Sequence, residues 1–176
     1  MIILGIDPGA TGAVSVFDGQ HWDVYDAPVL EAKKGRRYIS PELTSCLLRE
    51  EIGDRIGLNR ISGRLTHAYI ERQQAMPGQG VSSTFQLGRN FGIWQGVLAG
   101  LGIPTTIVSP RVWKKALKVT GDSQKEAARA RALQLMPYLA NELARKKDHG
   151  RADALLIGEY GRRDFGISPA WEKVAE

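Results

Sequence analysis

The chain predicts an α/β fold built on one mixed sheet, three antiparallel strands followed by parallel ones, with helices on both faces. Three observations carry this. Apolar runs separated by turn dipeptides open the chain, and later apolar runs alternate with stretches of helical spacing. The first run, Ile2-Ile3-Leu4-Gly5-Ile6, is apolar on both of its faces, which suits a central strand. At 176 residues the chain is long enough for one complete core and short for two, so a single domain over 1–163 with a tail at 164–176 is expected.

The elements follow in order. Strand 2–6 meets Asp7-Pro8-Gly9 as a turn, strand 13–17 ends at the hairpin dipeptide Asp18-Gly19, and strand 22–26 completes an antiparallel trio. Residues 27–41 contain Lys33-Lys34-Gly35-Arg36-Arg37 and read as a mobile basic loop. Ser40 as N-cap and Pro41 at the first helical position start a helix near 41–52. Strand 65–71 is followed by a Pro77–Gly80 loop and a helix over 82–99, whose apolar spacing runs through Phe85, Leu87, Phe91, Trp94, Val97 and Leu98. A strand at 105–108 comes next, then a short helix opened by Ser109-Pro110. A helix at 123–136 is ended by Pro137, and a last helix runs from about Gly150 to Tyr160.

Composition narrows the functional classes. The hydrophobic fraction of 43% is that of a globular protein. No apolar run approaches a membrane span or a leader peptide, so a cytoplasmic protein without a membrane partner is expected. The single cysteine, Cys46, excludes an internal disulfide framework and a multi-cysteine zinc site, and its apolar surroundings predict a packed thiol. A net charge of +5 and a pI near 9.5 favour a polyanionic partner.

Acidic residues stand where chemistry is usually placed. Asp7 ends the central strand, Glu71 ends strand 65–71, and DHGRADALLIGEYG brings Asp148, His149 and Asp153 to the start of the last helix. His149 and Asp153 are four apart and share a helical face. Carboxylates converging at strand ends repel one another, and burying them uncompensated costs several kcal/mol. Carboxylates joined by one imidazole suit Mg²⁺ or Mn²⁺; two such ions about 4 Å apart activate water and hold a leaving oxygen in phosphodiester hydrolysis. The plainer alternative is that Asp7 shapes a turn, Glu71 pairs with Arg72 or Arg151, and His149 is a surface residue.

ILGIDPGATGAVSVF, YIERQ, FQLGRNFGIWQGVLAGLGIPTTIVSPRVWKK and GRADALLIGEYG, in this order and at these separations, resemble the RuvC family of Holliday-junction resolvases, in particular its phage-encoded relatives. The resemblance covers roughly residues 2–161. It implies an RNase H-like fold, a homodimer, and a divalent-metal site that cuts opposed strands of a four-way DNA junction. Residue by residue it matches Asp7 of GIDPG, Glu71 of IERQ and Asp153 of GRADA to the metal-binding carboxylates. The remaining ligand falls one helical turn before Asp153, on His149, with Asp148 as the alternative.

The same resemblance matches Lys114, Lys115 and Lys125 to residues lining the DNA channel, where phosphate contacts position the junction without reading sequence. It also puts the 82–99 helix at the dimer interface, where Gly88, Gly92 and Gly96 at four-residue spacing suit close helix packing; Phe91 and Trp94 are alternatively core residues. Where some resolvases carry a stacking aromatic after the second carboxylate, this chain has Arg72-Gln73-Gln74-Ala75-Met76, leaving Met76 as a candidate wedge. Asp7–Gly12 resembles the phosphate hairpin of actin-like ATPases too, but the chain has no room for the second domain such enzymes need, so no nucleotide cofactor is expected. A broader branched-DNA or RNase H-like nuclease, and a non-catalytic junction-binding protein, are the competing functions.

Overall fold

Alternation along the first strand decides the architecture. In β1 (Ile2–Asp7) the side chains of Ile2, Leu4 and Ile6 point to one face and those of Ile3 and Asp7 to the other, and Ile2 through Ile6 are all buried. A computed structural model describes residues 1–32, 35–54, 65–121 and 124–168, with the side chains of Glu51, Gln124 and Lys125 outside the description. β1 pairs antiparallel with β2 (Ala13–Phe17), which pairs antiparallel with β3 (Trp22–Asp26). On its other side β1 runs parallel to β6 (Thr66–Glu71), and β6 to β7 (Thr105–Val108). The order β3-β2-β1-β6-β7, with only β2 reversed, is the RNase H-like arrangement the resemblance implies.

Helices cover both faces, as expected. On one face Ile2, Leu4, Ile6, Ala68 and Ile70 pack against Trp94 and Leu98 of α2 (Val81–Gly100) and against Leu47 and Leu48, which follow α1 (Pro41–Cys46). On the other, Ile3, Phe17, Trp22 and Tyr69 meet α5 (His149–Asp164), Trp113 of α3 (Pro110–Ala116), and Ala128 and Ala132 of α4 (Gln124–Leu135). Each large apolar side chain so enclosed contributes on the order of 2 kcal/mol. The helix α5 lies with its backbone directly on the sheet. A Cβ on Gly5 would come within 2.2 Å of the Ala154 carbonyl, and one on Gly158 within 2.5 Å of the Trp22 ring. Ser15 Oγ fixes that approach by donating to the Ala154 carbonyl at 2.8 Å.

Four expectations are corrected. The basic segment contains a β-hairpin, β4 (Val29–Ala32) and β5 (Arg36–Ile39), paired from Val29↔Ile39 to Ala32↔Arg36. Ile39 is buried and its N–H donates to Asn90 Oδ1 of α2, which ties the hairpin down; Lys33 and Lys34 lie outside the described residues. Ser40 caps α1 as predicted, its Oγ accepting from Leu43 N–H at 3.2 Å, but after Cys46 the helix widens to a π-helical turn over Leu47–Glu51. Cys46 itself is exposed. The last helix starts one residue earlier than expected and runs on to Asp164, carried there by the Glu159 carboxylate between Arg162 and Arg163. No helix among the described residues is long and apolar enough to cross a membrane.

Candidate active site

The parallel register Gly5↔Tyr69 and Ile6↔Ile70 continues to Asp7 beside Glu71 at the carboxyl ends of neighbouring strands. Both lie on the α5 face, since Ile3, Gly5 and Asp7 alternate on β1 as Tyr69 and Glu71 do on β6. The turn after β1 closes tightly over Asp7. The Gly9 N–H donates to Asp7 Oδ1 at 3.1 Å, and a Cβ on Gly12 would fall 2.2 Å from the Asp7 carbonyl oxygen. Burial pushes the Asp7 carboxyl above the ordinary range, against the Gly9 N–H and the charge of Lys114. Glu71 is also raised, first by burial and then by the Asp7 charge; the Trp113 indole, Lys114 and Gln73 oppose the shift. Trp113 Nε1 donates to Glu71 Oε1 at 3.0 Å and Gln73 Nε2 to Oε2 at 3.4 Å.

The first turn of α5 rests on the same loop, because a Cβ on Gly150 would lie 2.1 Å from the Thr11 carbonyl. Asp153 follows within one turn. Two helical turns further along that flank, Tyr160 meets the Tyr69 ring edge-on at 6.0 Å, and Asp164 accepts from the Tyr69 hydroxyl at 2.7 Å. The flank bearing Asp153 therefore looks toward β6, the strand that ends in Glu71. His149 lies one turn before Asp153 and lines a cavity of about 190 Å³ with Thr11, Gly12 and Arg145.

Asp148 has other work. It is buried, and Arg145 occupies both oxygens: backbone N–H to Oδ2 at 2.8 Å, Nε to Oδ1 at 3.0 Å and a terminal nitrogen to Oδ1 at 2.7 Å. Burial pushes its carboxyl up, but these bonds prevail and hold it below the usual range. Asp148 fixes the start of α5. Arg151 pairs with Asp26 at 2.6 Å and with Glu142, so it is not the partner of Glu71 that the plainer sequence alternative offered.

Among the described residues no group of three or more His, Cys, Asp or Glu stands arranged to hold a metal ion. The donor chemistry nevertheless fits a hard cation. Asp7 and Glu71 are oxygen donors whose charged forms are disfavoured as they stand, and a cation between them would offset both burial and mutual repulsion.

The predicted basic residues divide. Lys114 lies over the Trp113 ring, 5.2 Å from its centroid, and its charge reaches Asp7 and Glu71; Lys115 beside it is exposed. Lys125 falls in the first turn of α4, with its side chain outside the description. Met76 is exposed in the loop after β6. Sequence reasoning missed Trp113 and Arg145. The only signal for Trp113 was its apolar bulk one turn inside a Pro-started helix; for Arg145 it was the spacing of three to Asp148.

No family model matches the chain. The curated protein Holliday junction resolvase MOC1, chloroplastic, of Chlamydomonas reinhardtii is 31% identical over 156 residues, 81% of this chain and 18% of that protein. The chain thus spans about a fifth of that relative's length. Among solved structures, Thermus thermophilus RuvC in complex with Holliday junction substrate aligns over 96% of this chain and 99% of that one, at 18% identity and a TM-score of 0.48. A second solved structure of Thermus thermophilus RuvC gives the same coverage and identity with a TM-score of 0.47. Over most of its length, then, the chain is related by sequence to a Holliday-junction resolvase, the kinship that GIDPG, IERQ and GRADA indicate.

Proposed function

We propose that the protein is a metal-dependent endodeoxyribonuclease that resolves four-way DNA junctions, as a homodimer, by paired symmetric nicks. The observation that carries the reading is the pair Asp7 and Glu71 at the ends of neighbouring parallel strands, both raised by burial, on the sheet face that α5 covers. The sequence relative is named as a resolvase of such junctions, which supports the choice of substrate.

In this reading Asp7, Glu71, His149 and Asp153 would hold Mg²⁺ or Mn²⁺, two ions per site, and such ions would supply Lewis-acid activation of water and neutralise charge developing on the phosphate. The chain's own residues prepare that site. Gly9 N–H sets the rotation of the Asp7 carboxylate, while Trp113 and Gln73 set that of Glu71. Lys114 tempers the repulsion between them and offers a positive charge to the scissile phosphate. Lys115, with Lys125, extends the positive surface along the DNA. No covalent enzyme intermediate is required, and the products carry 5′-phosphate and 3′-hydroxyl ends, as the resemblance implies.

Dimerisation is supported by α2. Val81, Phe85, Gly88, Gly92 and Gly96 fall on one exposed stripe of the helix, with Phe85 at 71% exposure and open space beside each glycine. Trp94, by contrast, is fully buried, and Phe91 packs against the core. Two copies joined through this stripe hold two sites at fixed separation, which symmetric nicking needs.

A panel of labelled substrates tests the reading: a four-way junction, a flap, a linear duplex and an RNA–DNA hybrid, with Mg²⁺, Mn²⁺ or chelator. Paired nicks confined to the junction and dependent on metal are expected. Equal cutting of flap or hybrid would make the protein a broader branched-DNA or RNase H-like nuclease, and binding without cutting would make it a junction-binding protein.

A further inference from the structure

The β4–β5 hairpin and the amino-terminal half of α2 enclose a cleft of about 800 Å³. It shares Ala10 and Arg37 with the 190 Å³ cavity beside His149, so the two adjoin there and together make a trough beside the loop over Asp7. One wall is basic. Arg36 and Arg37 project from β5, and at the inner end Lys147 approaches from the segment before α5. The opposite wall, from α2 and the loop before it, is polar and uncharged: Gln79, Ser82, Ser83 and Gln86 line it, and the first turn of α2 has no acidic residue. Carboxylates at the inner end are neutralised in place, Asp26 by Arg151 and Asp148 by Arg145. Between the walls stands Tyr38, with the Arg89 guanidinium over its ring at 4.6 Å.

Arginines on one wall, hydroxyl and amide donors on the other and a ring within reach make a surface suited to a sugar-phosphate strand. We propose that this trough carries one DNA strand away from the carboxylate centre, with Arg36 and Arg37 as phosphate contacts. The proposal rests on the reading of the protein as a junction nuclease and adds a binding site on a hairpin that the motifs of the resemblance do not include.

Arg36 and Arg37 are exposed, so replacing both leaves the core untouched. Binding of a fluorescent four-way junction is measured by anisotropy over a salt series, in chelator, for the wild-type chain, the pair Arg36→Ala with Arg37→Ala, the pair Arg36→Lys with Arg37→Lys, and Arg163→Ala at the far end of α5. The alanine pair is expected to lose about tenfold in affinity. Its slope of log affinity against log salt should flatten by about 1.4, the contribution of two contacts to a single strand. The lysine pair, which keeps the charge, and Arg163→Ala should both keep the wild-type slope. An alanine pair with unchanged affinity and slope, in a protein that still binds and cuts junctions, overturns the strand path and leaves the function standing. So does an equal loss in Arg163→Ala. A wild-type protein that neither binds nor cuts a junction overturns the reading of function itself.

Discussion

The indole N–H of Trp113 donates to Glu71 Oε1 at 3.0 Å, from a ring that is fully buried beneath α5. It is a core side chain with one polar atom turned toward the candidate site. The bond favours the charged form of Glu71 against burial and the neighbouring Asp7. Trp113→Phe keeps a ring in the core and removes the donor. A hydrogen bond to a charged group is worth about 1.5–3 kcal/mol, so urea unfolding should show a loss of on the order of 2 kcal/mol. Cleavage should require severalfold more metal for half-maximal rate, because Glu71 is left both less ionised and less oriented.

The pH dependence of the metal-free protein follows from the carboxylates, with the sign set by each shift. Asp7 and Glu71 have raised pKa values, so the folded state holds protons that the unfolded state releases. Stability from this pair is therefore lost as pH rises from the ordinary carboxylate range through the raised values. Asp26, held low by Arg151, and Asp148, held low by Arg145, act in the opposite sense and lose their contribution as pH falls through the depressed values. In chelator, thermal unfolding should show a stability maximum on the acid side of neutrality. Asp7→Asn should flatten the decline toward neutral pH, and Tm at neutral pH should rise by about 2–4 °C for each kcal/mol of relieved repulsion and burial.

Gly158 tests how closely α5 lies on the sheet. A methyl there meets the Trp22 ring at 2.5 Å and Ser15 Oγ at 2.7 Å, neither of which has room to retreat in the core. Overpacking of this kind costs about 1–3 kcal/mol. Gly158→Ala should lower stability by that amount in urea unfolding and, if Asp153 completes the proposed metal site, also slow cleavage, since lifting α5 shifts the helix that carries it.

Much of this was legible in the sequence. The strands at 2–6, 13–17, 22–26 and 105–108 were marked by apolar runs and by Asp18-Gly19, and the start of α1 by Ser40-Pro41. The β4–β5 hairpin was not, because neither Val29-Leu30-Glu31-Ala32 nor Arg36-Arg37-Tyr38-Ile39 alternates apolar and polar residues with period two. Pairing across Gly35, at φ +69, and the buried Ile39 hold it instead. Asp7, Glu71 and Asp153 could be named from strand-end and helix position. That Arg145 takes up both oxygens of Asp148 could not, since it depends on where the guanidinium is sent. Trp113 reads as core from its neighbours, and it is core. Its bond to Glu71 depends on how α3 docks against β6, which no local pattern specifies.

The exposed stripe on α2 offers a test of the dimer. Gly92 has open space where a side chain would start, so Gly92→Glu should fold normally. Placed in a close helix–helix contact, two such charges clash. Light scattering after size exclusion should show a dimer for the wild-type chain and a monomer for the variant. The variant should nick junction strands singly instead of in pairs.

The account turns on Asp7. Removing its charge while keeping its shape takes away one donor to the cation and none of the basic surface that binds phosphate. The decisive measurement is therefore cleavage and binding of one labelled four-way junction by the wild-type chain and by Asp7→Asn in Mg²⁺. Paired, chelator-sensitive nicks are expected for the first and full binding with no cutting for the second. An Asp7→Asn protein that cuts at the wild-type rate would overturn the assignment of Asp7 to the metal site.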